Sequence, residues 1–237
     1  QNFRAGDEGR YNAREFTMLE WARVGAGLAQ IEEDLEKMVR TAALAAHGRA
    51  VVDYRGNKID LAPPFARCRV IDAFEAASGL SGLDFSAPAL EKVLDVLKIN
   101  VASVQDSAFL FSVAMAEVQK KLGFDRPVFV QDWPDFHSSS APARGGGFVT
   151  RSELYIAGIE ISNGFPTLTD ATAQRRSFER QQHLRRAAGK KETPLDQKYL
   201  AMMDDGLPPG AGMAMGLDRL VMILTDQDQI RNVMAFA

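Results

Sequence analysis

Apolar residues along the chain follow two periods. Between residues 27 and 46, Leu28, Ile31, Leu35, Met38 and Val39 fall at helical spacing and predict a packing helix with acids on its outer face. Val70, Ile71, Ala73 and Phe74 predict another helix after Pro63-Pro64, and Ala87 to Leu97 and Ser107 to Leu122 predict two more. Elsewhere the period shortens to two. Glu15 to Val24 reads as a strand with Phe16, Met18, Glu20 and Ala22 on one face, after a polar loop containing Gly6, Gly9 and Asn12. Ala50 to Leu61 predicts a hairpin turning at Gly56-Asn57. Arg126 to Pro134 predicts a buried strand with a polar end; the loop after it, with Ser138, Ser139, Ser140 and glycines 145 to 147, reads as an insertion that is mobile by composition. Asp170 to Lys191 predicts a helix rich in Arg and Lys, suited to an RNA, to an acidic protein or only to solvent. From Pro208 a Gly-rich strand runs into a helix that reaches Leu224 and carries Arg219 in its first turn.

The most informative pattern lies between Ser152 and Phe165. Two β-branched segments meet at Ala157-Gly158, a two-residue turn that pairs Ile156 with Ile159 and Tyr155 with Glu160. Alternation then brings Glu153 and Glu160 to the same face. Paired carboxylates on a sheet floor are costly without a cation, and Mg²⁺ with a polyphosphate is a fitting occupant; the competing reading is an exposed acidic hairpin face. Near the start, Arg4, Arg10 and Arg14 flank the flexible loop, where planar donors suit a triphosphate; for Arg14 an exposed charged hairpin is the preferred reading.

Composition narrows the class. The 237 residues are 46% hydrophobic and 25% charged, consistent with one domain and a sizeable core. A net charge of -3 argues against a general nucleic-acid coat. Cys68 is the single cysteine, which excludes an internal disulfide and any Cys-based zinc site and favours a reducing, cytoplasmic setting. No apolar run reaches the ~20 residues of a membrane helix. No Ser/His/Asp or Cys/His arrangement suggests a protein nucleophile, and His47, His137 and His183 read as surface residues.

Taken in order, Phe3-Arg4, Glu15-Phe16, Glu153 with Glu160, and Gly216-Leu-Asp-Arg219 resemble the second and third signature motifs of class II aminoacyl-tRNA synthetases. Glu15-Phe-Thr-Met-Leu-Glu-Trp21, Ile59-Asp-Leu-Ala-Pro-Pro64, Ile159-Glu-Ile-Ser-Asn-Gly-Phe165 and Gly216-Leu-Asp-Arg-Leu220 are similar to the lysyl-tRNA synthetase branch. Within it, Thr169-Asp-Ala, Pro194-Leu-Asp-Gln197 and Gly212-Met-Ala-Met-Gly216 look most like the short paralogues that join lysine or β-lysine to a lysine of elongation factor P. The resemblance spans essentially residues 1–237. It implies an α+β fold, an antiparallel sheet flanked by helices, with a helical insertion at about 63–125 and without the family's first motif.

It also implies roles. Arg4 would contact the α-phosphate and the carboxylate being activated, Arg10 the γ-phosphate, and Glu15 would belong to the ATP site. Phe16 and Arg219 would sandwich adenine, while Glu153 and Glu160 would bind Mg²⁺. Arg4 and Arg219 would be the catalytic pair. Glu20, Ala22, Asn163, Thr167 and Ala214 would line the amino-acid site. The implied activity is ATP-dependent formation of an aminoacyl adenylate and its transfer to an acceptor, a lysine of elongation factor P or a tRNA. Alternatives are a portion of a lysyl-tRNA synthetase and an idle paralogue that binds or regulates. A homodimer is implied should the parent protein carry the first motif.

Three departures stand out. The family's acid after the motif arginine is missing from Phe3-Arg-Ala-Gly6. The hydroxyl and the carboxylate with which the lysine branch holds a side-chain ammonium are replaced by Ala22 and Thr167. An ammonium entering there loses its counter-charge, so the expectation is that lysine is a poor substrate unless Asp132, Asp135 or another acid substitutes.

Overall fold

A computed structural model of the chain describes residues 1–6, 8–101, 106–137, 140–187 and 189–234. Ser138 and Ser139 of the predicted loop lie outside the described residues. In chain order the elements are β1 (Asn2–Phe3), β2 (Glu15–Phe16), β3 (Met18–Val24), α1 (Leu28–His47), β4 (Val51–Tyr54), β5 (Asn57–Asp60), β6 (Ala66–Arg69), α2 (Val70–Ser78), α3 (Ala87–Val96) and α4 (Ser107–Val118). There follow β7 (Val128–Pro134), β8 (Ala143–Gly145), β9 (Phe148–Ile156), β10 (Ile159–Pro166), α5 (Ala171–Ala187), α6 (Gln197–Asp204), β11 (Gly210–Gly216) and α7 (Leu217–Leu224).

The main sheet has seven strands in the order β3-β11-β10-β9-β7-β6, with β8 paired to β9. All its pairings are antiparallel except β6 with β7. This is the α+β arrangement expected. The period-two pattern explains its two faces. Phe129, Leu154, Ile156, Ile161, Met213 and Met215 join one buried cluster with Ile31, Leu35 and Val39 of α1 and Leu220 and Ile223 of α7. Val128, Val130 and Tyr155 point the other way and pack on Phe74, Leu94 and Phe111 from α2, α3 and α4. Those helices cover only the β6, β7 and β9 part of that face, so the part built by β10, β11 and β3 is left for a site.

The hairpin between β9 and β10 forms as expected. Ile159 pairs with Ile156 and Glu160 with Tyr155, and both turn residues have positive φ, Ala157 at 49° and Gly158 at 76°, as the type I′ geometry requires. Ala157 and Gly158 donate backbone hydrogen bonds to Gly123 and Leu122, which fasten the turn to the strand's neighbour.

Several expectations are corrected. The β4–β5 hairpin turns at Arg55-Gly56, because Tyr54 pairs with Asn57. The segment after Pro63-Pro64 enters β6 before the helix begins; Ala66-Arg-Cys-Arg69 has too little apolar alternation to announce a strand, and it is held by parallel pairing to β7. The glycine-rich loop contains β8, and α6 follows an Asp196 N-cap that accepts from Lys198 and Tyr199. The acids of α1 do not all face solvent. Glu32 and Glu36 are 1% and 5% exposed; Arg67 bonds both, at 2.9 and 3.1 Å, Gln131 donates to Glu32, and the Phe65 amide donates to Glu36. Removing Arg67 strands two buried carboxylates. Arg67→Met is therefore expected to cost about 3–5 kcal/mol in chemical denaturation, and a loss under about 1 kcal/mol would show the pair to be solvated.

Candidate active site

Strand register builds the centre of the site. Val130 pairs with Glu153, Glu153 with Asn163, Asn163 with Ala214 and Ala214 with Glu20, so one row across β7, β9, β10, β11 and β3 presents four of the expected residues. In the next row Phe165 pairs with Gly212 and Gly212 with Ala22. A bulge between Glu160 and Ser162 shifts the count by one, which keeps Glu160 and Asn163 on the same face as Glu153. Small residues at Gly212, Ala214 and Gly216 leave the floor open. A Cβ on Gly216 would meet the Arg219 side chain at 3.5 Å.

Two clefts share this floor and meet at Asn163 and Ala214. The first is lined by Arg4, Phe16, Met18, Glu160, Gly216 and Arg219, among others. The Arg4 guanidinium lies over the Phe16 ring, 5.3 Å from its centroid. Arg219 is fixed by donating to the Glu160 carbonyl at 2.7 Å, to Asn12 Oδ1 at 2.6 Å and to the Tyr11 carbonyl at 3.1 Å. It also lies 3.5 Å from the Glu160 carboxylate. The helix that carries it is tied to the link between β2 and β3, where the Thr17 amide donates to Asp218 Oδ2 at 2.7 Å. The second cleft includes Glu20, Ala22, Phe165, Thr167, Gln174 and Tyr199.

Arg10 and Glu15 do not line either cleft. Arg10 donates to the carbonyl and carboxylate of Asp228, and Glu15 is exposed in β2. Asp132 pairs with Arg144, and neither it nor Asp135 lines the second cleft.

Sequence reading missed Arg151, although the period of two places it on the Glu153 face. Its guanidinium stacks over Trp133 at 4.8 Å, donates to Asn163 Oδ1 at 2.9 Å and the His137 carbonyl at 2.8 Å, and pairs with Glu153. His137, expected at the surface, is half-buried. Its ring packs on Phe111 at 4.8 Å and Trp133 at 5.7 Å, and burial, then the Arg151 charge, lower its pKa to about 4.

Glu153 is 4% exposed and accepts from the Tyr155 hydroxyl at 2.6 Å. Burial and then the neighbouring Glu160 charge push its carboxyl up to about 8, against partial relief from Arg151. Such a group gains from a nearby cation. Among the described residues no three His, Cys, Asp or Glu converge, so a hard cation held by Glu153 and Glu160 would have to take the rest of its shell from ligand oxygens and water.

With the fold and this row of residues in view, the comparisons place the chain: it belongs to the class II tRNA synthetases (D, K and N), whose profile matches residues 1–237. Among its relatives, an elongation factor P–(R)-β-lysine ligase from Hamiltonella defensa is 30% identical over 241 residues, covering 99% of this chain and 68% of the relative. Lysine–tRNA ligases from Moorella thermoacetica and Bordetella bronchiseptica are 34% and 33% identical; the chain spans 46% and 48% of their lengths. Among the described residues no helix is long and apolar enough to cross a membrane.

Proposed function

We propose that the protein activates an amino acid with ATP as the aminoacyl adenylate and transfers it to an acceptor, a lysine of elongation factor P in preference to a tRNA. The observation that carries this reading is the junction of the two clefts at Asn163 and Ala214, with Arg4 and Arg219 on one side and Glu20 on the other. A nucleotide in the first cleft and an amino acid in the second would meet at that junction, α-phosphorus to carboxylate.

The reaction then needs alignment and charge neutralisation, not a protein nucleophile. A carboxylate oxygen of the amino acid attacks the α-phosphorus as its bond to pyrophosphate breaks; the acceptor amine then attacks the acyl carbon and AMP leaves. Arg4 would neutralise the α-phosphate and the incoming carboxylate, Phe16 and Arg219 would hold the base, and Asn163, oriented by Arg151, would hold the amino acid. A magnesium ion held by Glu153 and Glu160 would supply positive charge to the phosphate oxygens.

Amino-acid-dependent pyrophosphate exchange tests this, since it reports adenylate formation whatever the acceptor. Exchange is expected, with lysine at least about tenfold below the best amino acid because Ala22 and Thr167 give an ammonium no counter-charge. Exchange strongest with lysine would overturn the selectivity argument. Absence of exchange with every amino acid would favour an idle paralogue.

A further inference from the structure

The second cleft carries a polar group that the adenylation reading leaves unused. Gln174 lines it from the first turn of α5. The residue is 2% exposed, and among the described residues its Nε2 has no hydrogen-bond acceptor. Buried carboxamides are ordinarily paired, because the desolvation of an unpaired N–H is not repaid until an acceptor arrives. The helix that carries it is anchored at its start and along its length. The Gln174 amide donates to the Asp170 carbonyl at 3.0 Å, Asp170 Oδ1 caps Ala173 at 3.0 Å, and Phe178 packs against Tyr199 of α6 with ring centroids 6.0 Å apart.

Charge in the same cleft is equally sparse. Among the described lining residues the carboxylate is Glu20 alone, and the other polar side chains, those of Thr167, Tyr199, Ser140, Asn163, Gln174 and Trp21, are neutral; the Trp21 Nε1 also lacks an acceptor. We propose that Gln174 determines specificity in this cleft, and that the amino acid activated bears an uncharged side chain with an acceptor oxygen, a hydroxyl or an amide, that takes the Nε2 hydrogen. The proposal rests on the adenylation reading.

Pairing of charges and hydrogen bonds selects this class. An amino acid brings one α-ammonium, and Glu20 supplies one negative charge. Lysine brings a second ammonium, which would be desolvated with no carboxylate left for it and would set a donor against the Nε2 donor. An acidic side chain satisfies Nε2 but adds an anion with no cation lining the cleft. An apolar side chain leaves Nε2 unpaired. A neutral oxygen gives the Gln174 Nε2 hydrogen its missing acceptor without adding charge, and sites built to hydrogen-bond a substrate group discriminate strongly against analogues that lack it.

The test is pyrophosphate exchange by the full-length protein with ATP, Mg²⁺ and a panel that includes serine, threonine, asparagine, glutamine, lysine, glutamate and leucine. The wild type is expected to prefer a neutral oxygen-bearing member. Gln174→Leu should lower kcat/KM for that amino acid at least tenfold and raise the standing of its apolar isostere, with the affinity for ATP unchanged. Gln174→Glu and, independently, Thr167→Glu should shift preference toward lysine, so a folding defect in one variant leaves the other to decide. Lysine, glutamate or leucine as the best wild-type substrate, or an unchanged ranking in a folded, exchange-active Gln174→Leu, would overturn the inference while leaving adenylation standing. No exchange with any amino acid would overturn adenylation and this inference with it.

Discussion

Replacing Arg219 with alanine is expected to weaken ATP binding by at least about tenfold and amino-acid-dependent exchange by about a hundredfold or more. Two separate losses produce this. The first is the guanidinium plane, which would cover one side of the base opposite Phe16; a desolvated cation–π contact is worth ~2 kcal/mol. The second is the wall of the cleft itself. Arg219 joins β10 through the Glu160 carbonyl at 2.7 Å to the early loop through Asn12 at 2.6 Å and Tyr11 at 3.1 Å, so its removal frees three acceptors and the Glu160 carboxylate together. Lysine keeps the charge but not the planar fork, and Arg219→Lys should recover only a small part of the affinity. Calorimetric titration with a non-hydrolysable ATP analogue reads the effect. Unchanged affinity in a folded Arg219→Ala protein would mean that the nucleotide does not occupy this cleft.

What could be read from the sequence was whatever local periodicity governs. The turn at Ala157-Gly158 and the alternation around it sufficed to place Glu153 and Glu160 on one face, and Arg219 sits in the first turn of α7 because Gly216 ends a strand there. The row from Glu153 through Asn163 and Ala214 to Glu20 depends on register between strands far apart in the chain, which no single segment encodes; the resemblance to a family supplied those residues, and the pairing accounts for them. Illegible features are those set by tertiary contact. Glu32 and Glu36 occupy positions that would suit a solvated helix face, and only the arrival of Arg67 on β6 makes them internal. His137 is drawn inward by Phe111 and Trp133. Arg10, attractive as a phosphate ligand in sequence, is held by Asp228 across 218 residues. Gln174 has no pattern to announce it, since one glutamine in a basic helix reads as a surface residue until the helix is docked.

Raising the pH from about 6.5 to about 8 is expected to destabilise the ligand-free protein by about 2 kcal/mol, a fall in Tm on the order of 5 °C for a chain of this size. Two groups set the window. The Glu153 pKa rises on folding from 4.5 to about 8, so folding favours its protonated form and the stability it contributes below pH 4.5 is lost as pH climbs to about 8. The His137 pKa falls on folding from 6.5 to about 4, so its contribution runs the other way, growing between about 4 and 6.5 as the unfolded chain's proton becomes a disadvantage to that state. The two nearly cancel up to pH 6.5. Above it His137 is neutral in both states and Glu153 alone remains, over a window of about 1.5 pH units at about 1.4 kcal/mol each. Because Glu160 is the second cause of the Glu153 shift, after burial, Glu160→Gln should shrink the loss. Magnesium with an ATP analogue should abolish the loss, since a cation between the carboxylates favours their ionised forms and leaves Glu153 ionised in both states across this window. Melting curves between pH 6 and 9, with and without that ligand, decide it: a flat Tm for the ligand-free protein, or an equal fall in Glu160→Gln, would show that the two carboxylates do not share one field and would remove the physical basis for a cation between them.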